Sequence, residues 1–164
     1  MTFRSTSRTR LAATSVFSAL LLAASGSALA QGSQPRPNPH LYSEQANPTS
    51  DIAAAVARAG REHKRILLDF GGNWCGDCQV LDIYYRQSPN ADLIAKHFIL
   101  VHINIGHMDA NVAVARKYNV PITRGVPALA VLDSHGKLLY AEHEKEFEHT
   151  SMEAVTQFLN RWKS

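Results

Sequence analysis

The chain has 164 residues, with 17 Lys and Arg against 14 Asp and Glu, eight His and only two Cys. Arg4, Arg8 and Arg10 fall in a first segment of about thirty residues that contains no acid, so the remainder balances at 14 basic and 14 acidic side chains. A neutral body of about 134 residues excludes the basic face that nucleic-acid binding needs, fits one domain with one core, and is too poor in Cys for a disulfide-stapled scaffold.

In chain order, the positive start is followed by an apolar run from Leu11 to Ala24 and by a small-x-small site, Ala28-Leu29-Ala30. This is the pattern of a secretory signal peptide over residues 1–30, cut after Ala30. The run is short for a membrane span, which needs about 20 apolar residues, so no stable membrane insertion is expected after cleavage. No Cys follows it to carry a lipid. Export implies a periplasmic or secreted protein in a disulfide-permissive compartment. Residues 31–49, rich in Pro, Asn, Gln and Ser, have no apolar period and read as a flexible linker.

The regular domain is expected over 50–164. Ser50 is a cap for a first helix, with Ile52, Val56 and Ala59 on one face and Gly60 at its end. Arg65 to Phe70 is a short apolar run and reads as a buried strand. A helix should follow from Cys75 to about Tyr85, and Ser88-Pro89 should open another reaching Lys96. Phe98 to Asn104 reads as a second buried strand, and Asp109 to Tyr118 as a helix with Val112, Ala113 and Ala115 inward. Pro127 to Leu132 and Lys137 to Glu142 form a hairpin around the turn Asp133-Ser134-His135-Gly136. Ser151 starts a last helix with Val155, Phe158 and Leu159 as its apolar face. Strands separated by helices imply parallel pairing, and the late hairpin adds an antiparallel edge. The run Glu142 to His149 reads as a solvated strand end and loop.

Both cysteines sit in Gly71-Gly72-Asn73-Trp74-Cys75-Gly76-Asp77-Cys78. A disulfide between them would close almost no loop, so it adds little chain-entropy stabilisation. The pair therefore reads as chemistry. A Cys opening a helix meets unpaired N–H groups and partial positive charge, which favour its thiolate. Cys75 is then the attacking thiol, and Cys78, one turn on, the resolving one. A metal pair is the alternative. Structural zinc takes four ligands, so two Cys would need histidines, of which His97, His102 and His107 are nearest.

Leu68-Asp69-Phe70 before Trp74-Cys75-Gly76-Asp77-Cys78, with Lys117-Tyr118 and Arg124-Gly125-Val126-Pro127 further on, resembles the thioredoxin-like family, in its secreted or periplasmic branch of thiol–disulfide oxidoreductases. The resemblance spans about Asp51 to Trp162. It implies a three-layer α/β/α fold with a mixed central sheet and a C-terminal antiparallel hairpin. It implies that Asp69 is a buried carboxyl exchanging a proton with Cys78. It makes Pro127 a cis-proline whose neighbour Val126 pairs its backbone with an extended substrate, and it places Trp74 at the rim of the site. Gly76 and Asp77 would modulate the pair. His102 falls where the family often has a Lys near the buried Asp, so it is expected beside Asp69. Asp77 stands where thioredoxin proper has Pro, and the stretch Asn119 to Thr123 is longer than the usual connection.

These readings point to an exported reductase of protein disulfides that needs no organic cofactor and no metal. Its substrates would be cysteines of other exported proteins, and a redox partner would reset the dithiol. Asp69 and Asp77 place negative charge near the thiols, which opposes thiolate formation and favours a reducing couple. A thioredoxin-like copper or zinc chaperone, binding through two thiolates and a His, is the second class.

Overall fold

The computed structural model describes residues 1, 2 and 35–164. Apart from its first two residues, the leader expected over 1–30 lies outside the described residues. Nine elements follow one another: α1 (Pro48–Glu62), β1 (Arg65–Gly71), α2 (Gly76–Tyr85), α3 (Asn90–His97), β2 (Phe98–Asn104), α4 (Val112–Lys117), β3 (Ala128–Leu132), β4 (Leu138–Ala141) and α5 (Met152–Trp162).

Local chemistry explains most boundaries and corrects several. Asn47, not Ser50, caps α1: its side chain accepts the Ser50 N–H at 3.1 Å. Pro48 takes the first turn, where a missing N–H is harmless. The helix runs through Gly60 and stops at His63, which adopts a left-handed φ of 54°. Ser151 caps α5 as expected, accepting the Ala154 N–H at 3.1 Å. α4 is shorter than the expected 109–118. Ala115 is buried and Val112 packs against the same core, as expected, whereas Ala113 faces solvent.

The sheet order is β2-β1-β3-β4. β1 and β2 are parallel, with Asp69 opposite His102, and β3 and β4 form the expected antiparallel hairpin. β3, however, runs antiparallel to β1 although α4 separates it from β2. The connection from β2 to β3, which carries α4, returns to the end of the sheet it left, and Ala128 enters opposite Phe70, near the C-terminal end of β1.

Strand side chains alternate between faces. Ile66, Leu68 and Phe70 of β1 join Ile52, Ala59 and Ala115 in one core, under α1 and α4. Leu67 joins Leu81, Phe158 and Leu159 in the other, under α2 and α5. Two layers of helices thus enclose the sheet, a three-layer α/β/α sandwich. By the same alternation Asp69 is on the face that α2 covers, while every residue of β1 after Arg65 is buried.

The lead-in also differs from expectation. Among its described residues Tyr42 has no exposed surface. Its backbone is clamped from three directions: its N–H donates to Asn73 Oδ1 at 2.9 Å, and its carbonyl accepts from Asn73 Nδ2 at 2.9 Å and Asn104 Nδ2 at 3.3 Å. Upstream, the Asn38 N–H donates to Gln79 Oε1 on α2 at 2.8 Å. One inserted ring with side-chain clamps needs no apolar period, so the stretch reads as linker by composition while it packs as structure.

Candidate active site

β1 delivers the chain to Gly71, and α2 begins at Gly76. Cys75 is the cap of α2: its Sγ accepts the Cys78 N–H at 3.1 Å. Cys75 and Cys78 are joined as a disulfide. Cys75 retains 5% exposure and Cys78 none, so only the first sulfur is open to attack. The same helix-end N–H groups would hold a thiolate on Cys75 once the bond is reduced. A Cβ on Gly76 would meet nothing within 4 Å, so the helix start carries no bulk between the two cysteines.

Asp69 has no exposed surface. Its carboxylate accepts from the Tyr42 hydroxyl, with both oxygens at 3.1 Å, and its Oδ2 lies 3.0 Å from His102 Nδ1. Burial pushes the His102 imidazolium toward losing its proton. The hydrogen bond and negative charge of Asp69 outweigh that, leaving His102 above its ordinary value. Burial first, and then the charge of Asp69, hold the Tyr42 hydroxyl well above its ordinary value. A Cβ on Gly71 would collide with the Tyr42 ring and hydroxyl and come within 2.9 Å of Cys78 Sγ. Gly71 is therefore the close-approach position between the carboxylate cluster and the buried sulfur.

The remaining expected residues converge on the same end of the sheet. The Val126–Pro127 peptide is cis, as is Ser88–Pro89. Cys75 Sγ lies 3.5 Å from the Val126 carbonyl. Trp74 is half exposed at 47%, donates from Nε1 to the Gly106 carbonyl at 2.6 Å, and stacks on His107 with centroids 5.6 Å apart. Asp77 turns its carboxylate toward His149, accepting the His149 N–H at 3.3 Å with the imidazole Nδ1 also at 3.3 Å.

Four participants escape a reading of the sequence. Tyr42 and Asn73 were hidden because their partners are remote in sequence, and the sole signal for Tyr42 was a lone Leu-Tyr pair inside a polar stretch. His149 belongs to the charged run after β4. Glu142 begins that run and is not solvated: it is 2% exposed and accepts the Leu129 N–H at 3.0 Å, two residues beyond Pro127. Burial raises it to about 7, against the backbone hydrogen bonds that favour its charge. Among the described residues, no three His, Cys, Asp or Glu side chains are grouped to hold a metal ion.

A buried carboxylate and a Cys-x-x-Cys disulfide that share Tyr42 as a neighbour, at the end of a sheet faced by a cis-proline, define a thiol–disulfide exchange site on a thioredoxin-like fold. A thioredoxin-like family model matches residues 47–134, and the chain belongs to the thioredoxin-like family. Among solved structures it is similar to a disulphide isomerase from Xylella fastidiosa Temecula1, at 37% identity and a TM-score of 0.70 over 74% of this chain and 95% of that one. It shares its fold with the C-terminal domain of DsbD from Neisseria meningitidis, at 17% identity and a TM-score of 0.55 over 72% and 97%. The oxidised thioredoxin of Plasmodium falciparum matches at 16% and 0.50 over 70% and 92%. A search of curated protein sequences returns no match. The fold and the Cys-x-x-Cys pair support a thiol–disulfide oxidoreductase.

Proposed function

We propose that the chain is an exported reductase of protein disulfides. The observation that carries this is the asymmetry of the pair. Cys75 caps α2 and keeps 5% exposure, while Cys78 has none and packs with Tyr42, whose hydroxyl is bonded to Asp69. In that reaction the Cys75 thiolate attacks a substrate disulfide, forming a Cys75–substrate bond and releasing one substrate thiolate. Cys78 then loses its proton to Asp69 and attacks Cys75 Sγ. The mixed disulfide breaks, the second substrate thiolate leaves, and the pair is oxidised by two electrons as the substrate is reduced. Val126 and Pro127 flank the approach to Cys75, and Trp74 forms its rim.

The direction is supported by charge. Asp69 is buried and shares Tyr42 as a neighbour with Cys78, Asp77 lies between the cysteines in sequence, and anions near a thiol disfavour its thiolate and make the dithiol a better reductant. The leader supports export. Substrates would then be cysteines of other exported proteins, and a separate redox partner would return electrons to the pair. The Xylella protein's name favours isomerisation as a second reading. An isomerase would rearrange a scrambled substrate without net consumption of reductant.

The test is covalent trapping. Cys78→Ser should accumulate mixed disulfides through Cys75 with exported Cys proteins, and Cys75→Ser should form none and lose exchange activity. A Cys78→Ser protein that turned over a disulfide substrate at the parent rate would contradict the two-thiol mechanism.

A further inference from the structure

We propose that Tyr42, from the segment ahead of the first helix, is a positioning residue of the redox site: it sets Asp69 as the proton acceptor of Cys78. This rests on the thiol–disulfide reading above. Three observations carry it. The Tyr42 hydroxyl donates to both oxygens of Asp69 at 3.1 Å, so the carboxylate is held in one orientation. The Tyr42 ring packs with Cys75 and Cys78 in a small separate cluster. The insertion is built rather than incidental, since Asn73 and Asn104 both clamp the Tyr42 backbone.

The chemistry follows from what each donor does with pH. His102 changes charge with pH, above histidine's ordinary 6.5. Tyr42 does not, because burial and the charge of Asp69 keep its hydroxyl protonated. Asp69 thus has one donor that varies with pH and one that is constant. Also near this cluster are Cys78, Asp82 and Tyr85 on α2 and Glu142 just past β4. A hydrogen bond to the ionised form favours that form. Tyr42 therefore gives the Asp69 carboxylate a donor that stays in place whichever protonation state His102 is in.

The step to follow is closure of the internal disulfide. The reduced full chain is mixed with oxidised glutathione, quenched in acid at intervals, and the Cys75–glutathione adduct is counted by mass spectrometry between about pH 4 and 8. Closure transfers the Cys78 proton to Asp69, breaks the Cys75–glutathione bond and releases glutathione thiolate. In Tyr42→Phe the ring stays and the donor goes, so the acid limb of the closure rate should move up by about one pH unit. Tyr42→Leu, also without a donor, should move it the same way. In an Asp69→Asn background, Tyr42→Phe should move nothing further. Superimposable limbs, a uniform slowing without a shift, or a shift that persists with Asp69→Asn would each overturn the proposal. A parent whose adduct never closes would overturn the redox reading itself, and this proposal with it.

Discussion

Asp69 is sealed from water, so the groups that touch it decide how it acts. A buried carboxylate without donors is strongly disfavoured, and Tyr42 and His102 supply them at 3.1 and 3.0 Å. The two donors leave different marks on stability. His102 binds its proton more tightly in the folded state than its ordinary 6.5. Its contribution is present in full below about pH 6.5 and is lost as pH rises through the higher folded value. The thermal midpoint of the parent should therefore exceed that of His102→Leu most at about pH 5 to 6, and the gap should narrow by pH 8 to 9. His102→Lys should keep its advantage across the range. A gap that stays constant with pH would show that the 3.0 Å contact does not gain a charge. Asp77 gives a second prediction. Its carboxylate engages His149 at 3.3 Å, and the residue stands in the first turn of the helix that Cys75 caps. Asp77→Pro or Asp77→His should raise the reduction potential by about 30 mV, equivalent to roughly 1.4 kcal/mol. An unchanged or lower potential in both variants would show that the carboxylate does not act on the sulfurs.

Among the elements, the hairpin holds a buried acid whose cost is measurable. Glu142 sits at about 7 instead of 4.5, chiefly through burial. The folded state therefore keeps the proton that the unfolded chain releases, and stability falls as pH rises from about 4.5 to 7, then levels off. Glu142→Gln removes this term while leaving an acceptor for the Leu129 N–H. Urea midpoints should show the variant gaining about 1–2 kcal/mol on the parent between pH 5 and pH 8. Equal pH dependence in both proteins would show that Glu142 is charged at no cost.

The same elements show what the sequence made legible. Apolar runs and alternation placed β1, β2 and the hairpin, because a strand buried on both faces leaves a continuous signature. The spacing of Cys75 and Cys78 pointed to the redox pair, the family resemblance added Asp69, and register explains the His102 contact, since adjacent parallel strands bring residues 69 and 102 together. The antiparallel entry of β3 was not legible, because the end of the sheet to which the long connection after β2 returns leaves no mark in the apolar pattern. Glu142 was masked by the charges that follow it. Tyr42 was masked by composition: a polar, proline-rich stretch reads as linker unless its single ring has a socket, and the socket is made by residues 31 to 62 positions away.

At the level of the whole molecule, the disulfide pair, the buried carboxylate, the cis-proline loop and the lead segment all meet at the C-terminal end of β1. Among the described residues, no helix is long and apolar enough to cross a membrane. For the proposed reaction, what distinguishes a reductase from an oxidase is the free energy of the pair. The reduction potential of the Cys75–Cys78 couple, measured in graded dithiothreitol or glutathione buffers, tests this most directly. With Asp69 and Asp77 disfavouring the thiolates, the couple should sit toward the thioredoxin end of the scale, near about −270 mV. A value near about −120 mV, where a strong oxidant lies, would contradict the reductase.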